Sequence, residues 1–290
     1  MPHSSSEEEK TPQKSEDLIK QIKVDEVDPK NIEKLAHNLP KHSFYTERKY
    51  VIDQSVGLIL VDKKLISTQR GLGSFLIKKV GANFLSGKSI MNVSIPVSIF
   101  GPTTFLHHTV KDFEFAPYFL SKANTETDPI EKLSHVIAMV TASIHLNIPQ
   151  LKPFNPVIGE TLQAKIGDAL VYCEQVCHHP PISAIQVYGN GYYIYGSLEY
   201  EIKMGPRRAK YSKKGYTYVI LKDGTKYRIT LPVTQINGIL FGNRELLSVG
   251  DYTIEDMTNK IYSRVRIYPE KRGFFKSIFV KQKERKDHIK

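Results

Sequence analysis

A lysine and an asparagine three residues apart, Lys152 and Asn155, sit with two prolines in the stretch Leu151 to Glu160, LKPFNPVIGE. The ammonium brings charge and the amide brings direction, a combination that suits a phosphate or a carboxylate. The same composition suits an ordinary stiff linker, so the spacing alone leaves both readings open. A second stretch, Glu174 to Pro181, reads EQVCHHPP. It follows a β-patterned run, and its prolines end the strand because neither can donate to a ladder. His179 precedes a proline and is therefore held extended. The pair His178–His179 is expected at a strand end, near the mouth of any barrel, where imidazole N–H groups can reach an anion.

Zinc is the rival ligand for this second stretch, because Cys173, Cys177, His178 and His179 offer sulfur and nitrogen. In a strand, residues four apart are separated by about 13 Å and neighbours face opposite ways. Tetrahedral zinc wants ligands at about 2.0–2.3 Å, and the tight Cys-x-x-Cys turn that usually gathers them is missing. No metal is expected, and both cysteines are read as small buried apolar residues. Nucleophilic catalysis has no footing either. There is no Gly-x-Ser-x-Gly, His-Glu-x-x-His, P-loop or Gly-x-Gly-x-x-Gly, so no catalytic residue and no cofactor are expected. His107–His108, in TTFLHHTV, has no neighbouring acid and reads as structural.

The elements that must carry these residues follow from periodicity. Residues 1–45 are polar, charged and punctuated by proline, and read as a flexible tail. YVIDQSVGLILVDKK, within a lead-in over 46–70, is an apolar run of no assignable type. Gly71 to Leu85 reads as a short amphipathic helix, with Leu72, Phe75, Leu76 and Val80 at helical spacing. SIPVSIFGPTT is extended. Asp128 is placed to cap Pro129, a favoured first helical residue, and Ile130, Leu133, Val136, Ile137, Val140 and Ile144 share one face of the helix that follows. From about Leu162 the pattern turns to period two, with Lys222-Asp223-Gly224 as a hairpin turn. Helices precede a long antiparallel meander, which predicts a barrel or a strongly curved sheet.

Composition narrows the partners. The 290 residues are 40% apolar, enough for a core and too much for a disordered chain or a fibre. No apolar run is long enough for a spanning helix, MPHSSSEEEK is not a signal peptide, and two cysteines make no disulfide framework. A cytoplasmic protein is expected. The net charge is +11, and residues 201–290 hold 21 basic against nine acidic residues, which points to an anionic partner. Arg207–Arg208, Lys213–Lys214 and KQKERKDHIK lack the aromatic interleaving of RNA-binding modules, so no nucleic acid is expected. Near an anionic lipid surface each such cation would add about 1 kcal/mol.

EQVCHHPP resembles the EQVSHHPP signature of the oxysterol-binding protein family, with Cys177 in place of the serine. LKPFNPVIGE resembles that family's second hallmark, KPFNPxxGE. FLIKKVG, SIPVSIFGP, DPIEKLSHVIAMV and KYRITLP…INGILFG also stand in the family's order, so the similarity runs from about Gly71 to about Phe279. The resemblance implies an α+β, mainly β lipid-binding domain over 71–290: a lid (71–101), a helical part (102–150), and an antiparallel β-barrel (151–281) around an apolar lipid tunnel. It implies phosphatidylinositol 4-phosphate as a ligand, with sterol or another lipid as second cargo. Carried onto this chain, the headgroup residues are Lys152, Asn155, His178 and His179, and Leu72, Phe75 and Leu76 are the lid candidates.

Family domains continue past the point where this sequence stops, so the chain is read either as a short divergent member or as a truncated product, and truncation would leave the barrel with an open edge. Lys281, Lys283, Glu284 and Arg285 do not reproduce the family's C-terminal headgroup spacing and are not assigned. DFEFAPY faintly resembles a tethering motif but lies inside the matched region. The expected protein is a monomer that touches anionic membranes peripherally and transfers lipid. A lipid sensor or adaptor without net transfer is the alternative, and a metal-dependent hydrolase is the remote one.

Overall fold

The computed structural model describes residues 50–53, 57–81, 96–97, 100–144 and 151–267, with the side chains of 50–58 and 72–80 left out. The expected tail and residues 281–285 lie outside the described residues. The unassigned run near residue 50 forms a hairpin, β1 (Tyr50–Asp53) with β2 (Gly57–Leu60). Helix α1 (Lys63–Val80) follows, and Asp62 accepts the amide of Leu65 at 3.0 Å as its first turn forms. The helix expected from Gly71 thus begins eight residues earlier. Its expected end, like most of the lid segment, falls outside the described residues, and so do the side chains of Leu72, Phe75 and Leu76.

Strand β3 (Phe100–Thr104) leads into α2 (Phe105–Lys111), α3 (Ala116–Ala123) and α4 (Pro129–Ser143). Asp128 caps α4 as its position implies: its carboxylate accepts from the amides of Ile130 at 2.6 Å and Glu131 at 3.3 Å. The apolar stripe holds for Leu133, Val136 and Val140, which are buried, while Ile130 is 54% exposed. Ile130 is the correction here. It sits in the first turn with its side chain turned to solvent, beside Lys132, whose ammonium pairs with Asp223 of the β9–β10 turn.

The meander then runs through β4 (Lys152–Phe154), β5 (Thr161–Ile166), β6 (Ala169–Cys177), β7 (Ile182–Gly189), β8 (Tyr192–Met204), β9 (Arg208–Leu221), β10 (Lys226–Ile229), β11 (Val233–Asn237), β12 (Glu245–Asp256) and β13 (Ile261–Ile267). Strand β4 pairs in parallel with β3, and the others join β1 and β2 in one antiparallel sheet of eleven strands. Because side chains alternate faces, Val171, Cys173 and Gln175 of β6 turn inward, as do Ile185 and Val187 of β7 and Val219 of β9. All of these but Gln175 pack with Leu106, Leu120, Leu133, Val136 and Met139 of the helices in one core. Burying each such aliphatic side chain is worth about 1.5–3 kcal/mol. On the outer face, Tyr188, Tyr193, Tyr195 and Tyr218 form a cross-strand ladder with ring centroids 4.9–5.4 Å apart, of the kind that pins register.

Strand β12 is the junction of the sheet. Strands β10 and β11 share one lane between it and β9, while β2 and β13 share the lane on its other side. At the kink between β10 and β11, Thr230 accepts from the Thr253 amide through its hydroxyl at 2.8 Å and so covers a gap in the ladder. The turn at Asp223-Gly224 closes β9 onto β10 with Gly224 at φ 86°, where glycine carries no steric cost. At the far edge β5 pairs with β6 alone among the described residues, so the barrel is open.

Candidate functional site

Lys152 opens β4, and the pairing of β3 with β4 sets it opposite Phe100. Its ammonium lies 3.0 Å from the Asn155 amide oxygen and 3.2 Å from the Pro153 carbonyl. Two aromatic rings cover it, Phe100 at 4.8 Å and Phe105 at 5.3 Å from the ring centres. Among the described residues no carboxylate holds the charge, and burial pushes the Lys152 pKa down to about 8. The result is a cation in a cage of rings and carbonyl dipoles, with Asn155 orienting it.

His178 and His179 stand exposed on the turn after β6, their rings 4.5 Å apart. Two backbone bonds lace this strand to the proline-rich stretch: Gly159 N–H to the Gln175 carbonyl at 2.9 Å, and Gln175 N–H to the Glu160 carbonyl at 3.0 Å. The two stretches singled out from sequence are therefore neighbours. Lys152 and Asn155 touch each other, the histidines touch each other, and among the described residues no hydrogen bond joins one pair to the other.

Three contributors were missed from sequence. Phe100 and Phe105 come from another part of the chain, and nothing local in SIFGPTTF marks them as a cage. Gln175 did carry a signal, as a polar residue at an inward β position. It is fully buried, its amide N–H donates to the Cys177 carbonyl at 2.7 Å, and it accepts from Ser183 at 2.5 Å. These bonds fix the chain just before His178, which makes Gln175 a positioning residue for the turn.

Cys173 is buried and its thiol is pushed up to about 12, first by desolvation and then by the charge of Asp112, while Cys177 is only half-buried. Among the described residues no three of His, Cys, Asp and Glu gather in a metal-binding group. The basic pair Lys213–Lys214 needs a correction. Lys214 is exposed, but Lys213 points inward and its ammonium pairs with the carboxylate of Asp112, each side chain 5% exposed. Neighbours on a strand face opposite ways, so the two lysines cannot share a surface. The pair lines a narrow cleft, partly open to solvent, with Val140, Ile144, Leu231 and Pro232 among its apolar walls.

A family model described as oxysterol-binding protein matches residues 81–288. Oxysterol-binding protein 9 of Dictyostelium discoideum is 33% identical over 236 residues, 80% of this chain and 55% of that protein. Oxysterol-binding protein-related protein 1 of Homo sapiens is 29% identical over 58% of this chain and 18% of its own. This chain thus spans at most about half the length of these relatives. Among solved structures, an Osh1 ORD domain in complex with cholesterol matches with TM-score 0.59 and 28% identity over 72% of this chain and 49% of that one. The Osh3 ORD in complex with PI(4)P from Saccharomyces cerevisiae matches with TM-score 0.53 and 26% identity over 63% and 49%. A match across more than two hundred residues, with both hallmark stretches laced together as neighbours, places the chain in the oxysterol-binding protein family.

Proposed function

We propose that this chain is a non-enzymatic lipid-binding and transfer module that takes phosphatidylinositol 4-phosphate, and sterol as a second cargo, from membranes it touches peripherally in the cytoplasm. The observation that carries this reading is the caged ammonium of Lys152 beside Asn155, on a stretch bonded to the strand that presents His178 and His179. A phosphate is the group such donors suit, each charge-assisted bond contributing about 1.5–3 kcal/mol. The solved relatives in complex with PI(4)P, cholesterol and ergosterol support the choice of lipids. Helix α1 and the segment after it are the proposed lid.

Incubation of the chain with liposomes carrying labelled phosphatidylinositol 4-phosphate tests the reading. Uptake into the soluble fraction, reduced by added sterol, is the expected result, and well-folded protein that takes up neither lipid would refute it. The pH profile adds a second check. Burial disfavours the Lys152 ammonium, so its cost to stability is present in full below about pH 8 and is relieved as pH rises beyond it. Anion binding has the opposite dependence, because it needs the charge. Uptake is expected to fall as pH passes about 8, and Lys152→Arg is expected to flatten that step because a guanidinium stays charged. The same fall in Lys152→Arg would assign the step elsewhere.

A second reading, a sensor that binds lipid without net transfer, draws on the open edge at β5. Binding to vesicles with no delivery to acceptor vesicles would favour it.

A further inference from the structure

Arg244 is 4% exposed, yet among the described residues no carboxylate accompanies it. Its guanidinium donates to the carbonyls of Gly238 at 3.2 Å and Ile239 at 3.3 Å, and to the side-chain oxygen of Gln69 on α1. One helical residue on, Arg70 donates to the carbonyl of Gly242, while its own Nε is buried with no hydrogen-bond partner among the described residues. Burial, and after it the repulsion of the Arg70 guanidinium, lowers the Arg244 pKa to about 10. Buried charges are ordinarily paired, because an uncompensated one costs several kcal/mol. Here two like charges lie side by side, and among the described residues neutral dipoles answer them.

The surroundings add to the positive charge. The loop Gly238–Arg244 is tied back to the neighbouring hairpin by the Gly238 amide, which donates to the Arg207 carbonyl at 2.9 Å, and Arg208 pairs with Asn237 in the ladder. Arg207 and Arg208 are exposed and make no ion pair among the described residues. The acid of this stretch, Glu245, accepts from the side chain of Asn237 at 3.0 Å. At the tip of the same loop Phe241 is 60% exposed. Gly238, at φ 71°, has no room for a side chain, since a Cβ there would lie 2.0 Å from the Asn243 carbonyl oxygen, so the loop is held in this shape.

We infer that Arg70 and Arg244 form a phosphate-binding site between α1 and the β11–β12 loop, sharing no residue with Lys152, Asn155 or the histidine pair. Arg70, half exposed, is the entrance, and Arg244 is the fixed charge behind it. A planar guanidinium offers parallel donors that match phosphate oxygens, and the unpartnered Nε of Arg70 supplies one of them. The ligand chemistry is a phosphate group, carried either by a phospholipid at a membrane surface or by a free phosphate.

Thermal unfolding of the full chain in sodium phosphate, against sodium chloride at equal ionic strength, tests this. The His178→Ala/His179→Ala variant is used as background, so that the proposed headgroup site does not contribute. Phosphate is expected to raise Tm by about 2–4 °C, and Arg70→Gln to remove that rise while leaving Tm in chloride nearly unchanged. Sedimentation with phosphatidylcholine vesicles, with or without phosphatidic acid, separates the sources. Loss of phosphatidic-acid-dependent binding in Arg70→Gln identifies a lipid phosphate, and loss of the phosphate rise alone identifies a free one. A phosphate response no larger than that of chloride, or one that survives Arg70→Gln, overturns the assignment.

Discussion

Replacing His178 and His179 together by alanine is expected to lower uptake of phosphatidylinositol 4-phosphate by 100-fold or more, with the fold intact. Both rings are exposed and among the described residues neither hydrogen-bonds to the body of the protein, so their loss should change stability by about 0.5 kcal/mol or less, as for most surface substitutions. Two charge-assisted donors together contribute about 3–6 kcal/mol to holding a phosphate, and each 1.4 kcal/mol is tenfold in affinity. Circular dichroism and Tm check the fold, and liposome extraction checks the function. A variant that unfolds would make the pair structural, and one that extracts lipid normally would move the headgroup site elsewhere. Gln175→Leu offers a graded comparison, because it frees the Cys177 carbonyl and loosens the turn without removing either ring.

Lys213→Met is expected to destabilise the protein by about 3–5 kcal/mol, the usual cost of removing one partner of a buried ion pair. Asp112 would then keep a buried carboxylate without this cation. Burial already raises the Asp112 pKa against the pull of Lys213, and burial lowers the Lys213 pKa against the pull of Asp112. Both partners therefore report that desolvation outweighs their attraction. The double variant Asp112→Leu/Lys213→Met should accordingly recover most of the loss, since apolar replacement of a buried pair is often neutral or stabilising. Urea denaturation of the two single variants and the double variant closes the cycle. A double variant as unstable as the worse single one would show that the pair holds the cleft wall by something other than its charges.

The meander was legible because a strand with one buried face alternates, and β6 does so cleanly through Val171, Cys173 and Gln175. Helix α4 was legible because Asp128-Pro129 is a start signal followed by an apolar stripe. The hairpin near residue 50 was not, since YVIDQSVGLILVDKK lacks alternation and its pairing partner lies almost at the other end of the described chain. The inward turn of Lys213 is the opposite case, a local rule that two adjacent lysines obscured. At the candidate site the polar residues announced themselves by type and spacing, while the cage of Phe100 and Phe105 depends on β3 lying beside β4. Such contacts between distant segments leave no periodic trace.

Strand β12 receives β2 on its flank, with Leu58 opposite Leu246. On a ribosome making about 5–20 residues per second, β2 emerges on the order of 10–40 s before its partner exists. Through that interval an apolar hairpin has an edge and nothing to dock against, which is the condition that invites pairing with another chain. A strand made late is thus the one that secures the early hairpin through β2, and a nascent chain stalled before Glu245 would be a substrate for chaperones.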